Sequence, residues 1–435
     1  MRRVCLTITG LVFGILAAFS QNTPTDTTGF KSRALKIDEV NILSSYYSQT
    51  ADKSAVSGGD PGPRGIGNVT DLSNGLEIKM VGWDPKGRKN SLTGGIGMDN
   101  HTAASQAYVD SSGHGKKTGT RIYPTLDWTI ENQQKGTSFG LGAYYSAEHN
   151  YYHSIGLNTS ISAKTKHNGE FSAKLTGYFD RIVMITPSEL IPVDTANVIT
   201  TPTTDSVVYV TTASGRTEAL NYGTGQVLSK GSRVHIPSSS RDSYSASFSF
   251  TQVINERMQA AILVDFTYQT GYLGLPFHRV YFADSSKAVV ENLPSKRVKL
   301  PVGLRLNYFL GDNVILRAYY RFYIDNWGVR SHTASLEVPI KITPFFSISP
   351  FYRYYIQSAS NYFAPFKVHT PADEYYTSNY ALAAFSGQYF GTGIRLAPPG
   401  GIGNKHLSVI EIRYGHYTET TNLESNLIAL NLTFK

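Results

Sequence analysis

The chain of 435 residues carries 40 Lys and Arg against 32 Asp and Glu, a formal charge of +8 with no dense basic tract, so nothing in it favours a nucleic-acid partner. Charged residues make up only 17%, below the ~25% of soluble domains, while Tyr 29, Phe 21 and Gly 39 suit strands, membrane interfaces and tight turns. The single cysteine, Cys5, lies in the first twenty residues; if that segment is removed, the mature chain has neither disulfides nor thiolate chemistry.

The first stretch, MRRVCLTITGLVFGILAAFSQNT, places Arg2 and Arg3 before an apolar run from Leu6 to Phe19. Ala18 and Ser20 follow at the spacing of a cleavage site, so residues 1–20 read as a secretory signal peptide. The competing reading, a membrane anchor, needs a run of ~20 apolar residues, and this one is shorter. No later stretch reaches even 18 apolar residues, which excludes a helical membrane protein. Residues 21–36 form a short periplasmic segment, too short for the plug of an energised transporter, and residues 37–435 form one domain.

That domain reads as strands. In VILRAYYRFYID, Val314, Leu316, Ala318, Tyr320, Phe322 and Ile324 alternate with Ile315, Arg317, Tyr319, Arg321, Tyr323 and Asp325. A strand sends these two sets to opposite faces, one apolar and one charged. The pattern recurs and gives sixteen expected strands: 37–49, 74–83, 88–99, 121–132, 137–148, 151–165, 170–183, 242–254, 258–270, 298–310, 314–325, 328–342, 345–358, 385–397, 405–418 and 424–434. Short turn signals such as Asp84-Pro85-Lys86-Gly87, His167-Asn168-Gly169 and Gly311-Asp312-Asn313 follow the even-numbered strands. Longer stretches follow the odd ones, notably about 184–241 and 271–297. Short turns on one side and long loops on the other are the build of an all-β transmembrane antiparallel up-and-down β-barrel in the cell outer membrane, with lipid outside and an aqueous lumen inside. Tyrosine pairs at the outer strand ends (Tyr46 and Tyr47, Tyr144 and Tyr145, Tyr151 and Tyr152, Tyr354 and Tyr355, with Tyr414 and Tyr417) are expected to form an aromatic girdle at the headgroups.

In this register Arg305, Arg317, Arg321, Arg353 and Arg413 face the lumen, with Asp265, Asp325, Glu337, Lys341 and Glu411. They serve either as a salt-bridged filling or as a charge filter for solutes. The loop GYLGLPFHRVYFADSS is apolar for an outer loop. Its Leu275, Phe277, His278, Arg279 and Tyr281 are expected to fold over or into the barrel mouth as a lid or constriction. EHNYYH brings Glu148, His149 and His153 to one hairpin tip, but its spacing gives no metal-binding geometry. His332 and Ser335 have no spacing that signals a hydrolase. No catalytic residue, metal or cofactor is expected.

The stretches NYFLGDNVILRAYYRFYIDNWGVRSHTASLEVPIKITPFFSISPFYRYY, LPFHRVYF and NYFAPF resemble a family of outer-membrane barrel proteins of Gram-negative bacteria carried as a domain of unknown function, similar to porins in build. The resemblance runs from about Lys36 to the C-terminus. It implies no catalytic residue. Through the periplasmic flavin-attaching and thioredoxin-like proteins thought to be encoded beside some members, it implies an envelope redox or export role. Three function classes therefore remain: a porin-like channel for small solutes, a non-conducting scaffold that docks a periplasmic redox or flavin-related partner, and a barrel enzyme. Conductance separates the first two, and hydrolysis of lipid or ester would mark the third.

Overall fold

The computed structural model describes residues 32–53, 67–102, 118–148, 151–184, 207–211, 217–221, 227–230, 238–285, 288–403 and 406–435. The expected signal peptide lies outside them. Sixteen antiparallel strands follow in chain order: β1 (Arg33–Ala51), β2 (Val69–Trp83), β3 (Lys89–Thr102), β4 (Thr118–Asn132), β5 (Thr137–Glu148), β6 (Tyr152–Lys164), β7 (Gly169–Val183), β8 (Ser238–Asn255), β9 (Met258–Gly271), β10 (Lys296–Leu310), β11 (Val314–Asp325), β12 (Arg330–Glu337, resuming at Ile340–Thr343), β13 (Phe346–Gln357), β14 (Phe385–Leu396), β15 (Leu407–Glu419) and β16 (Leu423–Phe434). β12 is interrupted at Val338-Pro339, because a proline has no N–H to give the ladder.

Each strand pairs with the next, and β16 pairs with β1 from Val40–Phe434 to Ala51–Leu423. The sheet is thus closed and has no edge, the one way a sheet can sit in hydrocarbon with every backbone group bonded. The inner turns are tight. Gly311 supplies a positive φ of 68°, and Asn168 does the same at 60° in the turn before β7. The outer connections are less uniform than the sequence suggests. Asn326 to Val329 joins β11 to β12, and Thr420 to Asn422 joins β15 to β16, both as short turns. The stretch between β7 and β8 carries a small three-stranded sheet, Val207–Thr211, Thr217–Asn221 and Val227–Lys230.

Alternation sets the two faces. Leu175, Ile262, Phe266, Leu304, Tyr320 and Ile412 are exposed large side chains on one face, with Leu304 at 50%. On a closed barrel this face is the outer wall, and so continuous an apolar surface belongs in lipid. The expected aromatic girdle needs correction. Adjacent tyrosines cannot share a face, so Tyr46, Tyr145 and Tyr354 lie on the exposed outer wall while Tyr47, Tyr144 and Tyr355 turn inward. Tyr417 also turns inward; its hydroxyl donates to Glu419.

Candidate functional site

The inward tyrosines share a local rule. At the outer ends of β1, β11, β13 and β15, each donates its hydroxyl to the acceptor two residues on, the next side chain on the same face. Tyr47 reaches Gln49 (2.6 Å), Tyr323 reaches Asp325 (2.7 Å), Tyr355 reaches Gln357 (2.5 Å) and Tyr417 reaches Glu419 (2.8 Å). Cross-strand glycines give such rings room: a Cβ on Gly387 would meet the Tyr417 hydroxyl at 2.6 Å, and one on Gly303 would meet the Tyr319 hydroxyl at 3.1 Å. The rings thus lie along the wall, where they narrow the interior least.

The ten charged residues expected in the lumen all alternate onto the face opposite the apolar wall, Asp325 within this row and the other nine below it. Their surroundings sort them into groups. Glu337 on β12 accepts from Arg317 on β11 (3.2 Å) and from Arg413 on β15 (3.1 Å). Two strands separate β12 from β15, so this second contact spans the inner side of the wall. On the way the Arg413 guanidinium passes over the Phe351 ring at 5.1 Å. Glu411 sits 3.7 Å from Arg413, and Arg353 stacks on Tyr389 at 4.8 Å. Arg317 keeps 52% of its side chain accessible despite its ion pair. The inward Asp127 and Lys174 are exposed as well. An inward side chain reached by solvent requires an interior that holds water.

Asp325 differs from the others. Its side chain is completely buried and fully used: Arg297 donates to Oδ2 at 2.9 and 2.5 Å, Tyr323 adds 2.7 Å, and the N–H groups of Trp327 and Val329 each reach Oδ1 at 3.0 Å. The carboxylate ties down the short β11–β12 turn and is a structural element of the rim.

The opposite wall is built of small hydroxyls. On β6 and β8, Ser154, Ser160, Ser162, Ser243, Ser245 and Ser247 face inward, interrupted by Asn158. Its paired charges are Arg121 with Asp99 and Arg241 with Asp180 (3.0 Å), beside the exposed Asp127 and Lys174. Glu148 pairs with His101 on β3 at 3.3 Å, whereas His153 alternates to the outer face, so the EHNYYH tip does not converge; His149 lies outside the described residues. No group of three or more potential metal ligands exists among the described residues. His332 and Ser335 sit on opposite faces of β12, His332 outward against Tyr320 (2.7 Å) and Ser335 inward, so they form no dyad.

The expected lid residues lie in the β9–β10 connection, residues 272–295. Phe277 is 4% exposed and rests on Tyr151 of the β5–β6 tip, ring centres 6.0 Å apart. His278 and Val280 are completely buried, Tyr281 packs on Phe366 (5.0 Å) and Phe282 on Tyr376 (5.1 Å). The packing partner is the β13–β14 connection, residues 358–384, which no local pattern in the first loop points to. The backbones of Asn292 and Tyr376 exchange two hydrogen bonds, at 3.0 and 2.8 Å. Glu291, 5% exposed, accepts from the Thr377 hydroxyl (2.6 Å) and from the Leu275 N–H (2.5 Å). Burial pushes the Glu291 carboxyl up to about 7 and holds His278 down at about 3. Tyr380 of the second loop lies under the Lys53 ammonium at 4.5 Å, beside the β1–β2 connection. In a ring of sixteen strands the β5–β6 and β13–β14 tips are diametrically opposite. The loop pair therefore links tips on both sides of the outer mouth.

A closed antiparallel barrel with a lipid-facing apolar wall and a polar interior is the architecture of the bacterial outer membrane, and this chain is an outer-membrane β-barrel. Solved structures similar to it include outer-membrane proteins and siderophore receptors. A variant of the ferric enterobactin receptor PfeA from Pseudomonas aeruginosa has 11% identity and a TM-score of 0.42, over 87% of this chain and 53% of the receptor, so the chain spans about half of the receptor's length. OccK1 (OpdK) of the same organism has 5% identity and a TM-score of 0.39, over 91% of this chain and 97% of its own. OprD, also from that organism, has 6% identity and a TM-score of 0.39, over 94% and 96%. No curated protein matches the sequence. The family model described as "Protein of unknown function (DUF3570)" matches residues 96–426, and the chain belongs to that family.

Proposed function

We propose that the barrel is a porin-like channel for small solutes, with a charged lumen narrowed at its outer mouth by the paired β9–β10 and β13–β14 loops. The observation that carries this reading is the solvent-reached inner wall: Arg317 remains half accessible although it points into the barrel and is ion-paired. A core filled for stability alone would exclude water and avoid half-exposed charges. A sixteen-strand barrel is wide enough for an aqueous path. The loops are held by aromatic packing and a few hydrogen bonds, contacts that set a narrow mouth and also let it yield. Proteoliposomes holding the folded protein should swell in isosmotic solutions of small sugars and amino acids, with rates falling steeply as solute size grows. Vesicles that stay silent with every solute, while the barrel is demonstrably folded in them, would transfer the assignment to a non-conducting scaffold.

A further inference from the structure

One stretch of the inner wall carries charge that the chain does not balance. It lies on β10 to β13 between two carboxylates, both already occupied. Above it, Asp325 is saturated by Arg297, Tyr323 and two backbone N–H groups; below it, Glu337 is shared by Arg317 and Arg413. Between them sits Arg321, flanked diagonally by Arg305 on β10 and, two strands along, by Arg353. Neither Arg321 nor Arg305 has a carboxylate within ion-pair distance among the described residues. The Arg321 Nε is closed off from solvent and has no hydrogen-bond partner. Directly across the ladder, the Thr333 hydroxyl is in the same condition, on a residue only 6% exposed. On the other side of Arg321 stands Gly303, whose side-chain space is taken by the Tyr319 hydroxyl.

Buried donors without acceptors cost free energy, and native proteins keep few of them. Here an N–H of a permanent cation and an O–H belong to cross-strand neighbours on the inner face, with a phenol beside them and a second guanidinium diagonal to them. A guanidinium presents its donors as a planar fork that matches the two oxygens of a carboxylate or phosphate. We propose that Arg321, Thr333 and Tyr319, flanked by Arg305 and Arg353, form an oxyanion-binding station in the lumen that takes the carboxylate or phosphate group of a small solute. This inference rests on the channel reading for the solute's route, but binding itself needs only a lumen that admits water.

Calorimetric titration of the folded protein in detergent, at constant ionic strength, with sodium phosphate and separately with sodium benzoate tests it. Saturable binding of at least one is expected, and whichever binds names the oxyanion. Arg321→Gln should weaken it at least tenfold and Thr333→Val about threefold, whereas Arg121→Gln, across the barrel on β4 and paired with Asp99, should leave it unchanged. Should Arg321→Gln fail to fold, Thr333→Val and Arg305→Gln carry the same comparison. No saturable binding of either anion, or equal binding by wild type and the station variants, would overturn the station. Conductance of the same preparation separates the two ideas: a barrel that conducts without binding loses only the station, and one that binds without conducting loses only the channel.

Discussion

On β11 the inner face carries Arg317, Arg321 and Asp325 at alternate positions, and what surrounds each one separates their roles. Arg317 shares Glu337 with Arg413, Arg321 has no carboxylate, and Asp325 holds a turn together. Asp325→Ala should therefore strand the Arg297 charge, whose side chain is only 15% accessible, and uncap two N–H groups. Losing one partner of a buried pair costs about 3–5 kcal/mol, which a denaturant titration in lipid would read as a lower midpoint. Arg317→Glu with Arg321→Glu should leave the barrel folded and shift the reversal potential in a salt gradient toward cations. Ala318→Arg, between outward Leu306 and Leu336, should cost about 2–4 kcal/mol if it lies near the bilayer midplane, and should impair insertion. If Ala318→Arg inserts normally while the double glutamate variant does not fold, the faces of β11 are reversed. These faces were legible because the period of two is written in VILRAYYRFYID. The role of Asp325 was not, because alternation tells which way a side chain points and leaves open what it meets there.

The strands were legible as elements, and the loops only in part. Apolar residues in GYLGLPFHRVYFADSS marked the β9–β10 connection as one that must bury itself. Its partner, residues 358–384, holds Phe363, Phe366, Tyr375 and Tyr376, an equally unusual content for an outer loop, but no local period links two segments so far apart in sequence. The repeat of a tyrosine with an acceptor two residues on, at the ends of β1, β11, β13 and β15, is also present in the sequence, but alternation alone sends only Tyr323 to the charged face, and Tyr47, Tyr355 and Tyr417 are expected in the lipid girdle. At this scale the loop pair should respond to pH through Glu291, which joins the two loops by accepting from Thr377 and folds the first onto itself by accepting from Leu275. Its carboxyl is raised from 4.5 to about 7, so the packed loops favour the protonated form. Its contribution is therefore fully present below pH 4.5, declines as pH rises, and is lost above about 7. His278, lowered from 6.5 to about 3, works in the opposite sense, adding stability as pH rises through that range. Comparison with Glu291→Gln isolates the carboxyl. Labelling of a cysteine placed at buried Val280 should be slower in Glu291→Gln than in the wild-type background by a factor that opens between pH 4.5 and 7 and is constant above. A ratio independent of pH would mean that Glu291 does not set the packing of the loops.

For the whole molecule, closure is the consequential fact. Sixteen strands whose last pairs with the first leave no edge, so the chain has a lipid side and a lumen side, and each polar inward residue is either a filling or part of a path. Strand number, order and faces followed from alternation and turn chemistry, because a barrel repeats one local rule around its circumference. Whether the interior is open depends on contacts between strands that are not neighbours, such as Arg413 with Glu337 along the inner wall, which join residues far apart in sequence and leave no periodic trace. The folded barrel should run faster on a gel unheated than after boiling and give a strand-type circular dichroism spectrum, and a largely helical spectrum would contradict the fold. The most direct test of the channel itself is single-channel recording in a planar bilayer, comparing the wild type with a variant lacking Leu275 to Phe282, both checked for the gel shift. The account predicts small discrete steps from the wild type and larger ones from the variant. Folded protein that gives no steps in either form would contradict it.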